Sequence, residues 1–527
     1  MNNRINKFSL RRLSMVGAVL FFLTSCQVTD LEPLAFFSET TAFSTADRAE
    51  LAAIGMYNAA QSGTYAGGQV RGYPFGAANV EQSEMRGEDM VNQALFYQIT
   101  YEATYTPFSA NNVWMWNTLF TLINQANIVI EGAKGAQTEG LLPADVASAY
   151  EGEGRFMRAM AYHELLIHFA RPYLENNGTS PGVPIRSSAI NSASKVEEAI
   201  AQGRNSVAEV YDFILADLDF CESALPATRS GIEKSVRATK GAAIALKTRV
   251  KLHKGDWAGV ISEGNKIISS SAPFTSPIGD YALDGSLTGL YSNTSAEAVF
   301  YIDNATTDNP GVNGALPAML GNPSQGGRGL VLISPQFYNN PLWLDNDLRR
   351  GLLSNNGRSY FTDKYTDKVG RSDSNPILRY AEVLLNVAEA EARSNASPST
   401  RALDLLNAVR NRAVTETADQ FTESSFTTAN ELIAAILMER RIELLAEGKR
   451  WGDIHRLAND ANFSTNGIPS KIRFADFAFT DYDLVNRPAV NNSVATIPYS
   501  DFRFLWPIPA DELAQNPTLA QQQNPGY

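Results

Sequence analysis

The chain has 527 residues, 19% of them charged, with a formal net charge of −12 and a mean hydropathy of −0.19. That length allows several domains or one large architecture. The composition excludes a polytopic membrane protein and a charge-rich disordered chain. An acidic chain lacks the Lys and Arg surplus that phosphate contacts need, so no nucleic-acid partner is expected.

Residues 1–25 carry Arg4, Lys7, Arg11 and Arg12, no acid, and an apolar stretch from Leu13 to Leu23. This is the pattern of a secretory signal, and the apolar run is shorter than the roughly 20 residues that span a bilayer. It ends in Leu23-Thr24-Ser25-Cys26, which resembles the bacterial lipoprotein box, where the Cys thiol is diacylated and becomes the mature N-terminus. Two or more acyl chains, such as palmitate, anchor a protein stably where one does not. Gln27 rather than Asp follows the Cys, and the resemblance then favours the outer membrane. With Cys26 blocked, Cys221 is left without a partner. The exported chain is therefore expected to hold together by packing rather than by disulfides.

Residues 26–45 are polar, contain Pro33 and read as a tether. Helical patterns follow over Ala46 to Ala60, Val113 to Gly132 and Asp145 to Phe169. Asn205 to Leu225 places Val207, Val210, Tyr211, Ile214 and Leu218 on one amphipathic stripe. A helix over Ala238 to Lys254 stops at Gly255, and Asp256 caps another that runs to Ile268. The arrangement recurs with Pro376 to Arg393 and Arg401 to Ala413, then Asn430 to Glu447 and Trp451 to Leu457. Helix–turn–helix pairs of this size suggest tetratricopeptide-like units at irregular spacing, so the expected fold is mainly α. Between the helices lie loop-rich tracts over 62–112, 171–204, 270–375 and 458–527. Such long tracts are commonly functional, and the first and third are rich in aromatics.

Catalytic motifs are absent. His163 and His168 stand five apart on a helix, so their rings face different ways, whereas a zinc motif needs four. There is no nucleophile elbow, Walker loop or dinucleotide fingerprint. Asp345-Asn346-Asp347 starts like a calcium loop, but Arg349 and Arg350 stand where more oxygen ligands belong. No metal, no cofactor and no enzymatic activity are expected, although a carboxylate pair for glycoside hydrolysis cannot be read from sequence. The charges of Glu439-Arg440-Arg441-x-Glu443 are expected to pair with neighbouring helices of the stack.

Several segments together resemble the SusD/RagB family of outer-membrane nutrient-binding lipoproteins. Besides Cys26, these are Trp116-Asn117-x-Leu119-Phe120-x-x-Ile123-Asn124, Glu151-Gly152-Glu153-Gly154-Arg155-Phe156-x-Arg158-Ala159 and Glu439-Arg440-Arg441-x-Glu443-Leu444-x-x-Glu447-Gly448-x-Arg450-Trp451-x-Asp453. Leu505-Trp506-Pro507-Ile508-Pro509 and Asn524-Pro525-Gly526-Tyr527 close the chain in the family's manner. The resemblance implies tetratricopeptide-like helix pairs carrying a loop-rich ligand face, with an N-terminal region over 46–270 and a C-terminal region over 271–527. It implies a lipid-anchored protein on the outer face of the outer membrane. That protein binds oligomeric nutrients, usually glycans and in some relatives peptides, and delivers them to a TonB-dependent SusC-like transporter.

Sugars present apolar faces ringed by hydroxyls, which aromatic rings and polar side chains suit. The expected ligand site is therefore a shallow one between the loops 73–108 and 337–343. Tyr73, Tyr97, Tyr101 and Tyr105 would line it with Arg86 and Asp89 on one side. Phe337, Tyr338 and Trp343 would line the other, beside Asn339 and Asn340.

Overall fold

The structure, a computed structural model, describes residues 39–65 and 68–527. The signal-like segment, Cys26 and the tether as far as residue 38 lie outside the described residues. A short helix over Glu39–Ala42 precedes the first long one, so the last part of the expected tether is folded.

The helices that build the molecule are α1 (Ala46–Ser62), α2 (Ala77–Met85), α3 (Leu95–Tyr101), α4 (Ala110–Thr138), α5 (Ala144–Phe169) and α6 (Val207–Ala224). They continue as α7 (Lys240–Lys254), α8 (Trp257–Ile267), α9 (Tyr380–Arg393), α10 (Thr400–Arg410), α11 (Ala429–Glu443) and α12 (Arg450–Arg456). Caps set their ends. Ser206 Oγ accepts the Glu209 N–H at 3.2 Å while Glu209 accepts the Ser206 N–H at 2.7 Å, a reciprocal box that opens α6. Gly255 takes a left-handed φ of 74° to end α7. Two positions further on, α8 begins with Asp256 accepting the Gly259 N–H at 2.9 Å. Each long helix packs on the next: α4 on α1 and α5, α5 on α6, α6 on α7, α7 on α8, α8 on α9, and α9 on α10 and α11. This is the stacked-pair architecture that the periodicity and the resemblance both indicate.

Two expectations change. Residues 376–379 belong to a strand, and the helix starts only at Tyr380. The first loop tract also holds α2 and α3. Every residue of α2 is buried, so it has no polar face and its sequence shows no helical period.

Short antiparallel strand pairs tie the loops to the stack. They are β1 (Thr64–Tyr65) with β2 (Gln69–Val70), β3 (Met90–Asn92) with β5 (Val331–Ile333), β4 (Ala298–Ile302) with β8 (Asn375–Arg379), and β6 (Leu353–Asn355) with β7 (Tyr360–Thr362). Val91 opposes Leu332, which brings the two aromatic-rich tracts together.

Two hydrophobic cores result. The larger lies among the helices; the smaller lies under the loops and contains Met90, Tyr97, Tyr101, Leu332, Phe337, Trp343 and Phe361. Helix α11 serves both, with Leu432 and Ile436 in the first and Met438 and Ile442 in the second. At this seam the charges are buried and paired. Arg379 at the end of β8 binds Glu297 and Glu443 at 2.8 Å and Glu447 at 2.9 Å. Arg349 binds Asp347 at 2.7 Å, Glu439 at 2.5 Å and Glu443 at 3.0 Å. Arg440 and Glu439 pair within the stack as expected, Arg440 reaching Asn386 of α9 at 2.6 Å and Asp453 of α12, and Glu439 accepting from Arg410 of α10 at 3.5 Å. Glu439 and Glu443 also hold loop and strand arginines, because α11 runs out of the stack into the second core. Both carboxylate oxygens of Asp347 accept from the Arg349 guanidinium, at 3.0 and 2.7 Å.

Candidate functional site

The nine side chains expected to form a shallow binding face are all buried. Three of the tyrosine hydroxyls hydrogen-bond within the protein. Tyr101 donates to Ile472 O at 2.5 Å, Tyr105 donates to Arg503 O, and Tyr73 accepts from Gln82 Nε2 at 3.1 Å. Arg86 lies flat on Trp451, 3.4 Å from the ring centre, and donates to Phe504 O. Burial lowers its pKa to about 10. Asp89 is locked to Arg441. Phe337 packs on Trp343 at 5.3 Å, and Arg350 covers the Trp343 ring at 4.4 Å. Tyr97 sits edge-on beneath Phe96, and Tyr338 stacks under Tyr360 at 4.5 Å. The rings are divided between the two cores: Tyr73 and Tyr105 lie in the larger, and Tyr97, Tyr101, Phe337, Tyr338 and Trp343 lie in the smaller among aliphatic side chains such as Leu316, Val331 and Ile333. The correction is the same for all nine: none is an open contact surface.

The half-exposed rings are their neighbours. At the tip of the β1–β2 hairpin, Tyr65 meets Trp114 at 5.1 Å and Phe96 at 5.9 Å. The Arg71 guanidinium lies 5.2 Å from the Tyr65 ring and 5.5 Å from that of Phe96. Its side-chain hydrogen bond goes to Gln69 Oε1 at 3.1 Å, and no carboxylate pairs with it among the described residues. Gly72 allows this arrangement. Its φ is +73°, and a Cβ there would stand 2.5 Å from Gly314 O, so the hairpin base presses on the loop before Arg328. Beneath the patch, burial raises the Glu81 carboxyl to about 8, with the Tyr97 hydroxyl and the Arg328 guanidinium acting against the rise. Near neutral pH Glu81 is therefore protonated and does not cancel the arginines above it. Trp114 also stands at the end of a groove of about 760 Å³ between α1 and α4, whose wall includes Asn58, Asn117, Thr121 and Gln125.

A second half-exposed group continues from Tyr338. Tyr360 stacks between Tyr338 and Phe479, the latter at 5.7 Å, and Tyr482 closes edge-on against Tyr338 at 5.3 Å. Tyr482 is fixed by a 2.6 Å hydrogen bond to Ile333 O.

Tyr65, Phe96 and Tyr360 lie in the aromatic-rich tracts 62–112 and 270–375, whose irregular sequence does not rank one ring above another. Trp114 was hidden inside a helix. Residues 114 and 116 are about 200° apart on a helix, so with Trp116 in the core Trp114 must face outward, which is the signal that could have found it.

The histidines are buried among protein groups. His163 packs on His253 at 4.7 Å, and burial lowers its pKa to about 4. His168 stacks on Trp506 at 4.4 Å and contacts Glu164 at 3.1 Å. No group of three or more metal-ligating side chains occurs among the described residues, and no described helix is long and apolar enough to cross a membrane.

Residues 338–527 match the profile of the SusD family, and residues 39–252 match one described as starch-binding associating with outer membrane. The chain belongs to the SusD/RagB family. It is 27% identical over 457 residues to SusD-like protein P2 of Formosa agariphila, covering 78% of this chain and 80% of the relative. A crystal structure of a SusD superfamily protein from Bacteroides fragilis superposes with a TM-score of 0.73 at 25% identity, covering 90% of this chain and 99% of that one. A SusD-like carbohydrate binding protein from Bacteroides vulgatus has the same fold, with a TM-score of 0.66 at 17% identity over 90% of this chain and 98% of its own. Neither family description is that of an enzyme.

Proposed function

We propose that this protein is a lipid-anchored receptor on the outer face of the outer membrane. It binds oligomeric nutrients, glycans above all, without turning them over, and passes them to a TonB-dependent SusC-like transporter. Cys26 carries the acyl chains in this reading. Family membership and the outer-membrane description of the 39–252 match support the location.

The observation that carries the ligand class is the patch of Tyr65, Phe96 and Trp114 flanked by Arg71. Three half-exposed rings offer apolar platforms for sugar faces, and the guanidinium and Gln69 offer donors and an acceptor for hydroxyls. The buried Tyr73 and Tyr97 support the patch from below.

An array of oligosaccharides and peptides screened with the protein tests the reading. A glycan should bind, Trp114→Ala and Arg71→Ala should each weaken it severalfold, and prolonged incubation should return it uncut. Peptide-only binding, shortened products or undiminished affinity in both variants would each refute it.

A further inference from the structure

The chain has 56 acidic residues against 44 basic ones, and most of its described arginines are spent on carboxylates. The surface around Trp114 breaks this pattern. Arg71, half-exposed, donates from its side chain to Gln69 Oε1 at 3.1 Å. The exposed Arg328 donates to Asn313 Oδ1 and approaches Met319 Sδ at 3.5 Å. Neither guanidinium meets a carboxylate among the described residues, and each keeps Nη donors that no protein group uses.

The two arginines belong to one surface. Arg71 precedes Gly72, which lies against Gly314, and Asn313 beside Gly314 accepts from Arg328. Their charges also meet below the patch, where Arg71 acts on the buried Tyr97 hydroxyl and Arg328 on the Glu81 carboxyl. Glu81 keeps its proton to about 8, so the acid beneath adds no negative charge at neutral pH. The groove that runs on from Trp114 continues the pattern. Its described wall sets Arg48 among amides, hydroxyls and apolar groups, with no Asp or Glu. An acid-free, cationic surface on an acidic protein draws anions to that one place. A guanidinium also holds an oxyanion through paired, charge-assisted hydrogen bonds that a neutral hydroxyl does not match.

We propose that the glycan bound at the Trp114 patch is an acidic one, bearing uronate carboxylates or sulfate esters. The rings of Tyr65, Phe96 and Trp114 hold sugar faces, Arg71 and Arg328 hold the anionic substituents, and the chain continues along the groove past Asn117 and Gln125. This inference rests on the glycan reading of the patch and adds the charge of the ligand.

Calorimetric titration of the whole protein with matched pairs tests it. One pair is oligogalacturonate and its methyl ester; the other is a carrageenan oligosaccharide and its desulfated form. In at least one pair the acidic member should bind at least tenfold more tightly than its neutral partner, and the pair that responds identifies the anion. That advantage should shrink as salt rises from about 0.05 to 0.5 M, because screening shortens the reach of the arginines. Arg328→Gln changes an exposed side chain and Arg71→Gln a half-exposed one. Each should lower the acidic-to-neutral ratio severalfold, and the two together should bring it near one. Poly-L-glutamate, which has the charge without the sugar, should bind at least tenfold more weakly than the acidic glycan. Equal affinity within both pairs, or binding confined to neutral glycans of the array, would overturn this inference and leave the proposed function standing. A preference that survives both arginine substitutions, or poly-L-glutamate binding as tightly as the acidic glycan, would also overturn it. Binding of no glycan at all, charged or neutral, would remove both.

Discussion

Half-exposed Trp114 and buried Trp343 make opposite demands on a variant. An exposed ring that stacks on a ligand contributes on the order of 1 kcal/mol beyond plain burial, so Trp114→Ala should weaken glycan binding severalfold and leave the thermal midpoint nearly unchanged. Removing a ring from the second core leaves a cavity, and Trp343→Ala or Tyr101→Ala should cost about 3–5 kcal/mol of stability. Their melting curves should fall while the folded fraction keeps its affinity. Affinity loss without destabilisation in Trp343→Ala would return that ring to the binding face.

Glu81 adds a pH signature. Folded, it holds its proton up to about 8, whereas an exposed glutamate loses it near about 4.3. Between these values the folded state binds more protons than the unfolded chain, so the contribution of Glu81 falls as pH rises through the window. Glu81→Gln abolishes that loss. The variant should gain on the parent by up to about 1.4 kcal/mol per pH unit from pH 5 to pH 8. Thermal melts across that range decide it, and parallel curves would show a solvated carboxyl.

At the scale of elements, α11 and β8 are held by the same buried ions. Arg379→Met strips three glutamates of a guanidinium and should cost about 3–5 kcal/mol, because the remaining charges stay buried. The two cores should then loosen at their seam, so hydrogen exchange in α11 and β8 should rise before exchange in α4 and α5. The acids of these pairs act oppositely to Glu81. Burial would raise Glu382, but the Arg249 guanidinium at 2.6 Å outweighs it and holds the carboxyl at about 2. Its contribution is complete above the unfolded value and is lost as pH falls toward 2. Arg249→Met should remove it and flatten the acid limb of a pH–stability curve; an unchanged limb would place the acid sensitivity elsewhere. The pattern of charges in Glu439-Arg440-Arg441-x-Glu443 announced pairing, but the partners lie far along the chain, Arg349 and Arg379 among them. Helical spacing specifies only neighbours three or four residues away.

For the molecule as a whole, the reading as a lipid-anchored receptor makes two demands. Cys26→Ser should abolish acyl labelling and release the protein from membranes; labelling that persists would end the lipoprotein assignment. Gentle detergent extraction should bring down a large β-barrel partner. Recovery as a free monomer from cells that express such a barrel would count against delivery to a transporter.

The sequence by itself determined the class: helix pairs with their Gly255 and Asp256 punctuation, and membership of the SusD/RagB family from motifs spread along the chain. These features are local or ordered along the chain, so spacing and residue type suffice to read them. Only the tertiary structure decided which loop aromatics face solvent. Tyr101 and Tyr65 lie in the same Tyr-rich tract, yet β3–β5 pairing and the close approach of Gly72 to Gly314 bury the first and leave the second half-exposed. An irregular tract has no period that assigns a face to each side chain, so contacts between segments far apart in sequence make that choice.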